Sequence, residues 1–175
     1  MRFGKPLAQT LDAIRKSLSD LSEIDLGYPT GDNFVREAIK SELMNAPGSL
    51  DPGLQMLAEL YACCDGLAAP DVHVGYFIES SSVAAAAAKD PAVSQIAGLS
   101  SKVLSFGSTG GGALFVVDCH AGSVILLPPG SVQGGSYKDA RSARVVANSV
   151  PTFFERLLAD VTAFVDDNSD HTFIC

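Results

Sequence analysis

Three short apolar segments separated by glycine-containing turns constrain the fold of this chain more than any other feature. They occupy residues 102–106, 113–119 and 123–127 and are rich in β-branched and aromatic side chains. The connections, residues 107–112 and 120–122, both contain glycine. This spacing predicts three successive antiparallel strands that form a meander.

Apolar residues at helical spacing lie on both sides of this meander. Near the N-terminus they predict an amphipathic helix with one face formed by Leu7, Leu11, Ile14, Leu18 and Leu21. Near the C-terminus, Ser149 is a suitable N-cap for a last helix with a broad apolar face: Val150, Phe153, Phe154, Leu157, Leu158, Val161, Phe164 and Val165. We therefore predict the α+β class, with a mainly antiparallel central sheet flanked by N-terminal helices and a C-terminal helix.

Two further helices are predicted before the strands begin. One starts after Asp32 and runs to about Met44, with an inward face of Phe34, Ala38, Ile39 and Leu43. The next starts at Asp51 and Pro52, and its inward stripe comprises Leu54, Leu57, Tyr61 and Cys64. Gly66 is predicted to end it in the left-handed conformation.

The segments between these elements have simpler patterns. Residues 72–79 predict a strand, and the serines at 80–82 are expected to cap a short alanine helix that ends at Ala88. Residues 128–138 predict a loop, and residues 143–147 a short strand. No linker divides the sequence, so residues 1–175 are predicted to form a single domain.

The charge balance limits which partners are plausible. The chain has 20 acidic and 12 basic residues, a net charge of −8, and no basic run. Nucleic-acid binders neutralise phosphates with Lys and Arg, so we expect neither direct nucleic-acid binding nor binding to an anionic membrane. No signal peptide and no membrane span of roughly 20 apolar residues is present, which predicts a cytoplasmic protein with reduced thiols.

Two segments carry residues that could perform chemistry. Residues 107–112 have the glycine spacing of a phosphate-binding loop, but Ala113 and Leu114 follow where Lys and Ser or Thr are needed. A hairpin turn is therefore predicted. Cys119 and His120 are adjacent, and neighbours on a strand point to opposite faces, which favours a core thiol and a turn histidine over a nucleophile with its base.

Metal-ligand spacing is absent from the sequence. His73, His120 and His171 are far apart, and neither CxxC nor HxxxH occurs. The neighbouring Cys63 and Cys64 are expected to be partly core residues. No metal site and no cofactor are predicted.

Three stretches together resemble the SUKH superfamily, the Smi/Knr-like proteins. The sequence LYACCDG at residues 60–66 resembles the family's helix end, in which an aromatic residue precedes Asn or Asp and Gly. Residues 106–118 and 122–127 resemble its glycine turn and strand core. The sequence SVPTFFERLL at residues 149–158 is similar to its closing helix. The resemblance spans roughly residues 54–165, and residues 1–45 are either a helical extension or part of the same core.

The resemblance implies an α+β fold without enzymatic activity. Many bacterial members are immunity proteins that bind and neutralise polymorphic toxins, often nucleases or deaminases, and other members are regulatory interaction modules. The resemblance further implies that the matched motif residues are structural: Tyr61, Asp65, Gly66, Gly110, Gly112, Asp118 and Phe154.

The leading hypothesis is an immunity protein that binds a basic toxin domain. A regulatory interaction module of the same fold is one alternative, and a thiol hydrolase built around Cys119 and His120 is another. An acidic inhibitor gains association rate from a basic partner through complementary charge. Asp65, Asp71 and Glu79 are predicted to be exposed carboxylates near the sheet that steer this association.

Overall fold

Four helices and ten strands make up the computed structural model, which describes residues 4–39, 51–166 and 174. The helices are α1 (Gly4–Leu21), α2 (Pro52–Tyr61), α3 (Ser81–Lys89) and α4 (Val150–Val165). The strands are β1 (Phe34–Glu37), β2 (Cys64–Ala69), β3 (Tyr76–Ile78), β4 (Gln95–Ile96), β5 (Val103–Thr109), β6 (Leu114–Asp118), β7 (Val124–Leu127), β8 (Val132–Gln133), β9 (Ser136–Tyr137) and β10 (Arg144–Ala147).

Seven of the strands form one antiparallel sheet in the order β1-β2-β3-β5-β6-β7-β10. Its centre is the β5-β6-β7 meander that the glycine turns predict. The remaining strands form a small sheet of order β4-β9-β8, in which β4 and β9 are parallel. The predicted α+β class with a mainly antiparallel central sheet is confirmed.

One face of the large sheet, here called the inner face, carries the main core. The predicted apolar faces of α1 and α4 are buried in it, and these two helices pack against each other. Phe153 sits at the centre, with its ring edge-on to Phe106 of β5 and Phe115 of β6. Phe154 is fully buried beside it. Since its leucines belong to this core, α1 is an integral layer of the fold.

The opposite, outer face carries a second apolar cluster over only part of its area. This second cluster comprises Val93, Ile96, Val103, Val116, Ile125, Leu127 and Tyr137. Its members come from β5, β6 and β7 and from the small sheet, together with Val93 just before β4. The small sheet therefore covers the outer face at the β6-β7 side, which we call the covered half.

The helix predicted after Asp32 is wrong over the residues that the structure describes. Residues 34–37 form strand β1, which pairs with β2 through Phe34 opposite Ala68 and Val35 opposite Leu67. Phe34 and Ile39 are exposed, and only Val35 is buried. The rest of the predicted helix, residues 40–44, lies outside the described part. Pairing with β2 overrides the helical spacing, because strand structure depends on non-local partners.

The helix that begins at Pro52 is shorter than predicted. It ends at Tyr61, and Cys64 starts β2. Gly66 has the predicted positive φ, +100°, but inside a strand. A Cβ at this position would lie 2.6 Å from the carbonyl oxygen of Ile78, so glycine is required for the close approach of β2 and β3.

Smaller differences concern the other boundaries. The strand predicted at residues 72–79 contains only β3, and the loop predicted at 128–138 includes β8 and β9. The alanine helix is confirmed as α3, with the hydroxyl of Ser80 accepting a hydrogen bond from the Val83 amide. The short strand near residue 145 is confirmed as β10, and the Ser149 cap of α4 is confirmed by its bond from the Thr152 amide.

Candidate protein-interaction site

Half of the outer face of the large sheet has no cover among the described residues. The register places Phe34, Ala68, Phe77 and Ser108 side by side on β1, β2, β3 and β5. Phe34 is 36% exposed and the other three are half-buried. The same row continues through Leu114 to the covered half. We call the β1-β2-β3-β5 part of the outer face the open half.

An open cleft of about 450 Å³ lies on the open half. Its apolar walls include Phe34, Phe77 and Val83, the last of which projects from α3 and is 48% exposed. Arg36 and Glu79 provide charged groups of opposite sign at the same cleft. A partly exposed aromatic surface with an arginine has the composition that is enriched at the centres of protein interfaces.

Arg36 is held in place on this surface. Its guanidinium carbon lies 5.2 Å from the centroid of the Phe34 ring, which is a cation–π distance. Its Nη1 also donates a hydrogen bond of 3.2 Å to the carbonyl oxygen of Asp65. Because both contacts fix a long side chain, a partner that binds here orders fewer rotamers on association.

A loop between β2 and β3 supports the Phe77 ring at the end of the open half. The Gly110 amide donates to the Gly75 carbonyl over 3.1 Å, and a Cβ on Gly110 would overlap the carbonyl of Val74. The Phe77 ring lies against both glycines. Val74 of the same loop is 52% exposed. Glycine at residue 110 therefore permits the close contact between two loops that fixes Phe77.

Asp65 does not have the exposed position that the sequence analysis predicts. It is 4% exposed, and its Oδ1 accepts hydrogen bonds from the amide (2.9 Å) and the hydroxyl (2.6 Å) of Ser81. The prediction that Asp65 is an exposed steering group is wrong, because its carboxylate joins β2 to the first turn of α3. Buried carboxylates of this kind stabilise the fold through their hydrogen bonds.

Asp71 and Glu79 are both half-buried. Glu79 follows β3 beside the start of β2, where Asp65 lies, whereas Asp71 follows the other end of β2. Oδ2 of Asp71 accepts hydrogen bonds from the Gly31 amide (2.9 Å) and from Nδ2 of Asn33 (2.5 Å). Asp71 therefore anchors the segment that leads into β1. Glu79 lines the cleft, so it is the one of the three predicted carboxylates that the structure places at the candidate site.

The other motif residues make contacts within the fold. The hydroxyl of buried Tyr61 donates to the carbonyl of Glu79 over 3.2 Å, and burial raises the pKa of this phenol. Gly112 has a positive φ of +81° in the turn between β5 and β6. Phe154 packs edge-on against Phe153 in the main core.

Asp118 organises the turn after β6. Its Oδ1 accepts from the amides of His120 and Ala121, each over 2.9 Å, and its Oδ2 accepts from the Ser101 hydroxyl over 2.7 Å. Burial by itself would raise the pKa of Asp118, but these hydrogen bonds outweigh burial and the pKa is lowered. The charged carboxylate therefore holds the end of the meander together.

Cys119 and His120 are not brought together at a common cleft. Cys119 is half-buried and lines a separate cleft of about 480 Å³, whereas His120 is exposed and does not line it. Burial raises the pKa of the Cys119 thiol to about 11, and the nearby carboxylates of Asp51 and Asp118 add to this effect. A thiol with such a pKa keeps its proton at neutral pH and is a poor nucleophile.

The hairpin turn predicted at residues 107–112 is shorter in the structure, because residues 107–109 belong to β5 and the turn follows Thr109. The Gly112 amide donates to the Thr109 carbonyl over 3.0 Å, and the Ala113 amide donates to the Thr109 hydroxyl over 3.2 Å. Across residues 4–39, 51–166 and 174, no group of three or more His, Cys, Asp or Glu side chains is placed to hold a metal ion. None of the helices in this part of the chain is both long enough and apolar enough to cross a membrane.

Sequence reasoning missed the residues that form the cleft. The helix predicted after Asp32 includes Phe34 and Arg36, and no functional role is predicted for Phe77 or Val83. The signal that could have identified them is the local sequence Phe-Val-Arg-Glu, where a buried valine lies between two side chains on the other face.

Comparisons of this chain with family models, with curated proteins and with solved structures find no match.

Proposed function

We propose that this chain is a non-enzymatic protein-binding domain that neutralises a toxin by covering its active surface, as immunity proteins of the resembled superfamily do. One observation carries this proposal: the open half presents an aromatic cleft on a chain with a net charge of −8. Phe34 and Val83, which both line this cleft, expose 36% and 48% of their surface. Neighbouring exposed apolar groups of this size are typical of interaction sites.

The regulatory interaction module is the main alternative, and it would use the same surface. It differs from the immunity function in the consequence of binding, because only an immunity protein abolishes the toxicity of its partner. The hydrolase alternative has weaker support, since the pKa of Cys119 is raised and His120 points to solvent.

The direct test is co-expression with the toxin domain encoded beside this chain in its genome. We expect the wild-type chain to restore growth. Phe34→Lys should lose protection, because it places a like charge against a basic partner and removes an aromatic anchor. Val145→Lys is the matched control, since Val145 is 57% exposed and belongs to β10, the opposite edge strand of the same sheet.

The circular dichroism spectrum of each variant has to match that of the wild type for this comparison to count. Toxicity that persists when the wild-type chain is folded and in excess contradicts the immunity function. In that case binding without protection would favour the regulatory module.

Electrostatic steering gives a second, kinetic test. Because the chain is acidic and the proposed partner basic, the association rate constant should fall as salt shortens the Debye length. The dissociation rate constant should change less, because the buried anchors control it. Stopped-flow mixing between low and physiological salt measures both. An association rate that is independent of salt would contradict a basic partner.

A further inference from the structure

We infer that the open half receives an extended, basic segment of the partner protein, which adds to β1 as an eighth strand of the large sheet. This inference rests on the proposed protein-binding function and specifies the element that is bound. Three independent features carry it: an edge of β1 that has no strand partner among the described residues, the charges around that edge, and the position of the cleft next to it.

The two edges of the large sheet differ in what lies against them. At β10, Arg156 donates to the carbonyl of Val146, and Arg144 donates to the carbonyl of Ile174 over 2.6 Å. Within the described residues, β1 pairs on one side only, with β2. An edge strand with free amides and carbonyls is a template for another strand, and extended peptides bind in this way to many sheets.

Negative charge is concentrated in the part of the sequence that contains this edge. Residues 1–79 hold twelve acidic and six basic residues, whereas residues 80–175 hold eight and six. Among the described residues on β1, just before it and around the neighbouring cleft, Asp32, Glu37 and Glu79 are acidic and Arg36 is basic. The surroundings of this edge are therefore acidic on balance. A segment with lysine or arginine therefore fits this edge, and an acidic segment is repelled.

The cleft lies where side chains of an added strand would reach it. Neighbouring strands are about 4.8 Å apart, and alternate residues of a strand share one face. The outward residues of the added strand would extend the row formed by Phe34, Ala68 and Phe77. An apolar residue at one of these positions would contact the Phe34 ring. The favoured partner sequence thus alternates apolar and basic residues.

Selection of a phage-displayed library of random twelve-residue peptides against the full chain tests this inference. We expect the enriched peptides to be basic, to alternate polar and apolar residues, and to bind at least about tenfold more weakly to Phe34→Lys and to Glu37→Lys. Their affinity for Val145→Lys should stay within about twofold of the wild type. Enrichment of acidic peptides, or equal loss with Val145→Lys, would overturn the inference.

Backbone N-methylation of a selected peptide distinguishes binding as an added strand from binding through side chains alone. The protein itself is unchanged in this test. Two versions carry N-methyl groups on alternate residues. One set should abolish binding, because only those amides face β1, and the other set should bind within about threefold of the parent peptide. Equal binding by both versions would exclude strand addition. If the wild-type chain still neutralises the toxin, that result leaves the proposed function intact.

A second copy of this chain is the competing occupant of the same edge. Sedimentation of the wild type and of Phe34→Lys distinguishes it from a partner segment. We expect both to be monomers. A wild-type dimer that Phe34→Lys dissociates would overturn the inference, because the edge would then be occupied by its own copy.

Discussion

The two halves of the outer face share one cross-strand row of residues but have different surroundings. At one end of the row, Leu127 is 1% exposed under the small sheet, and Ile125 of the same strand is 6% exposed. At the other end Phe34 is 36% exposed. Both ends carry large apolar side chains, so the difference lies in what covers them. Under the small sheet the apolar side chains stabilise the fold, and on the open half, where the described residues provide no cover, they are available to a partner.

The inner face is the reference for this comparison, because α1 and α4 bury their apolar faces against it. Phe154→Ala should lower the free energy of unfolding by about 3–5 kcal/mol, as other truncations of fully buried phenylalanines do. Urea denaturation measures the change. A shift in the midpoint close to zero would show that α4 does not pack as described.

Truncating a side chain should lower the free energy of unfolding much more in the covered half, where it is buried, than in the open half, where it is exposed. Ile125→Ala is expected to cost about 2–5 kcal/mol, because it removes a buried member of the second cluster. Phe34→Ala should cost less than about 1 kcal/mol. Thermal and urea unfolding of both variants provide the test. Equal losses of unfolding free energy would mean that Phe34 contributes to stability as a core residue does. The two halves would then not differ in the way described.

Lowering the pH should reduce the stability that the Asp118 carboxylate gives to the turn after β6. Its folded pKa is lowered, so its contribution to stability is present above the unfolded pKa and disappears as the pH falls through the folded value. Asp118→Asn should therefore destabilise the chain at pH 7 and much less near pH 2. Asp20→Asn, on the exposed side of α1, serves as the control. A loss that is the same at both pH values would contradict this role.

The reactivity of the Cys119 thiol tests the hydrolase alternative. With a pKa of about 11, roughly one thiol in ten thousand is ionised at pH 7. Alkylation by iodoacetamide should therefore be slow, and its rate should rise about tenfold per pH unit up to pH 10. Peptide-resolved mass spectrometry distinguishes Cys119 from the other cysteines. Fast labelling at pH 7 would revive the hydrolase alternative.

The predictable parts of the fold are those set by local sequence. The leucines of α1, the serine caps of α3 and α4 and the glycine turn between β5 and β6 all act within a few residues. The local sequence does not predict strand β1, because its structure depends on β2, about thirty residues further along the chain. The same dependence explains why the helical pattern of α2 continues to Cys64, which starts the strand that β1 pairs with.

The candidate site was less predictable than the fold. The charge of Asp65 predicts exposure, but the residue is buried and bonded to Ser81, which lies 16 positions further along the chain. The cleft joins side chains from β1, β3 and α3, and no local pattern indicates that these meet. Phe34 and Val83 are exposed because none of the described elements packs over them. Local sequence patterns do not predict which part of a sheet is left without a packing partner.

Hydrogen exchange of the complex with the toxin domain tests the central claim most directly. Amides of β1 and of the loop before β3 should gain protection on binding, because the partner lies on the open half and pairs with its edge strand. Those of β8 and β9, in the small sheet over the covered half, should exchange at unchanged rates. Protection confined to the small sheet or to the cleft beside Cys119, with β1 unaffected, would contradict this account.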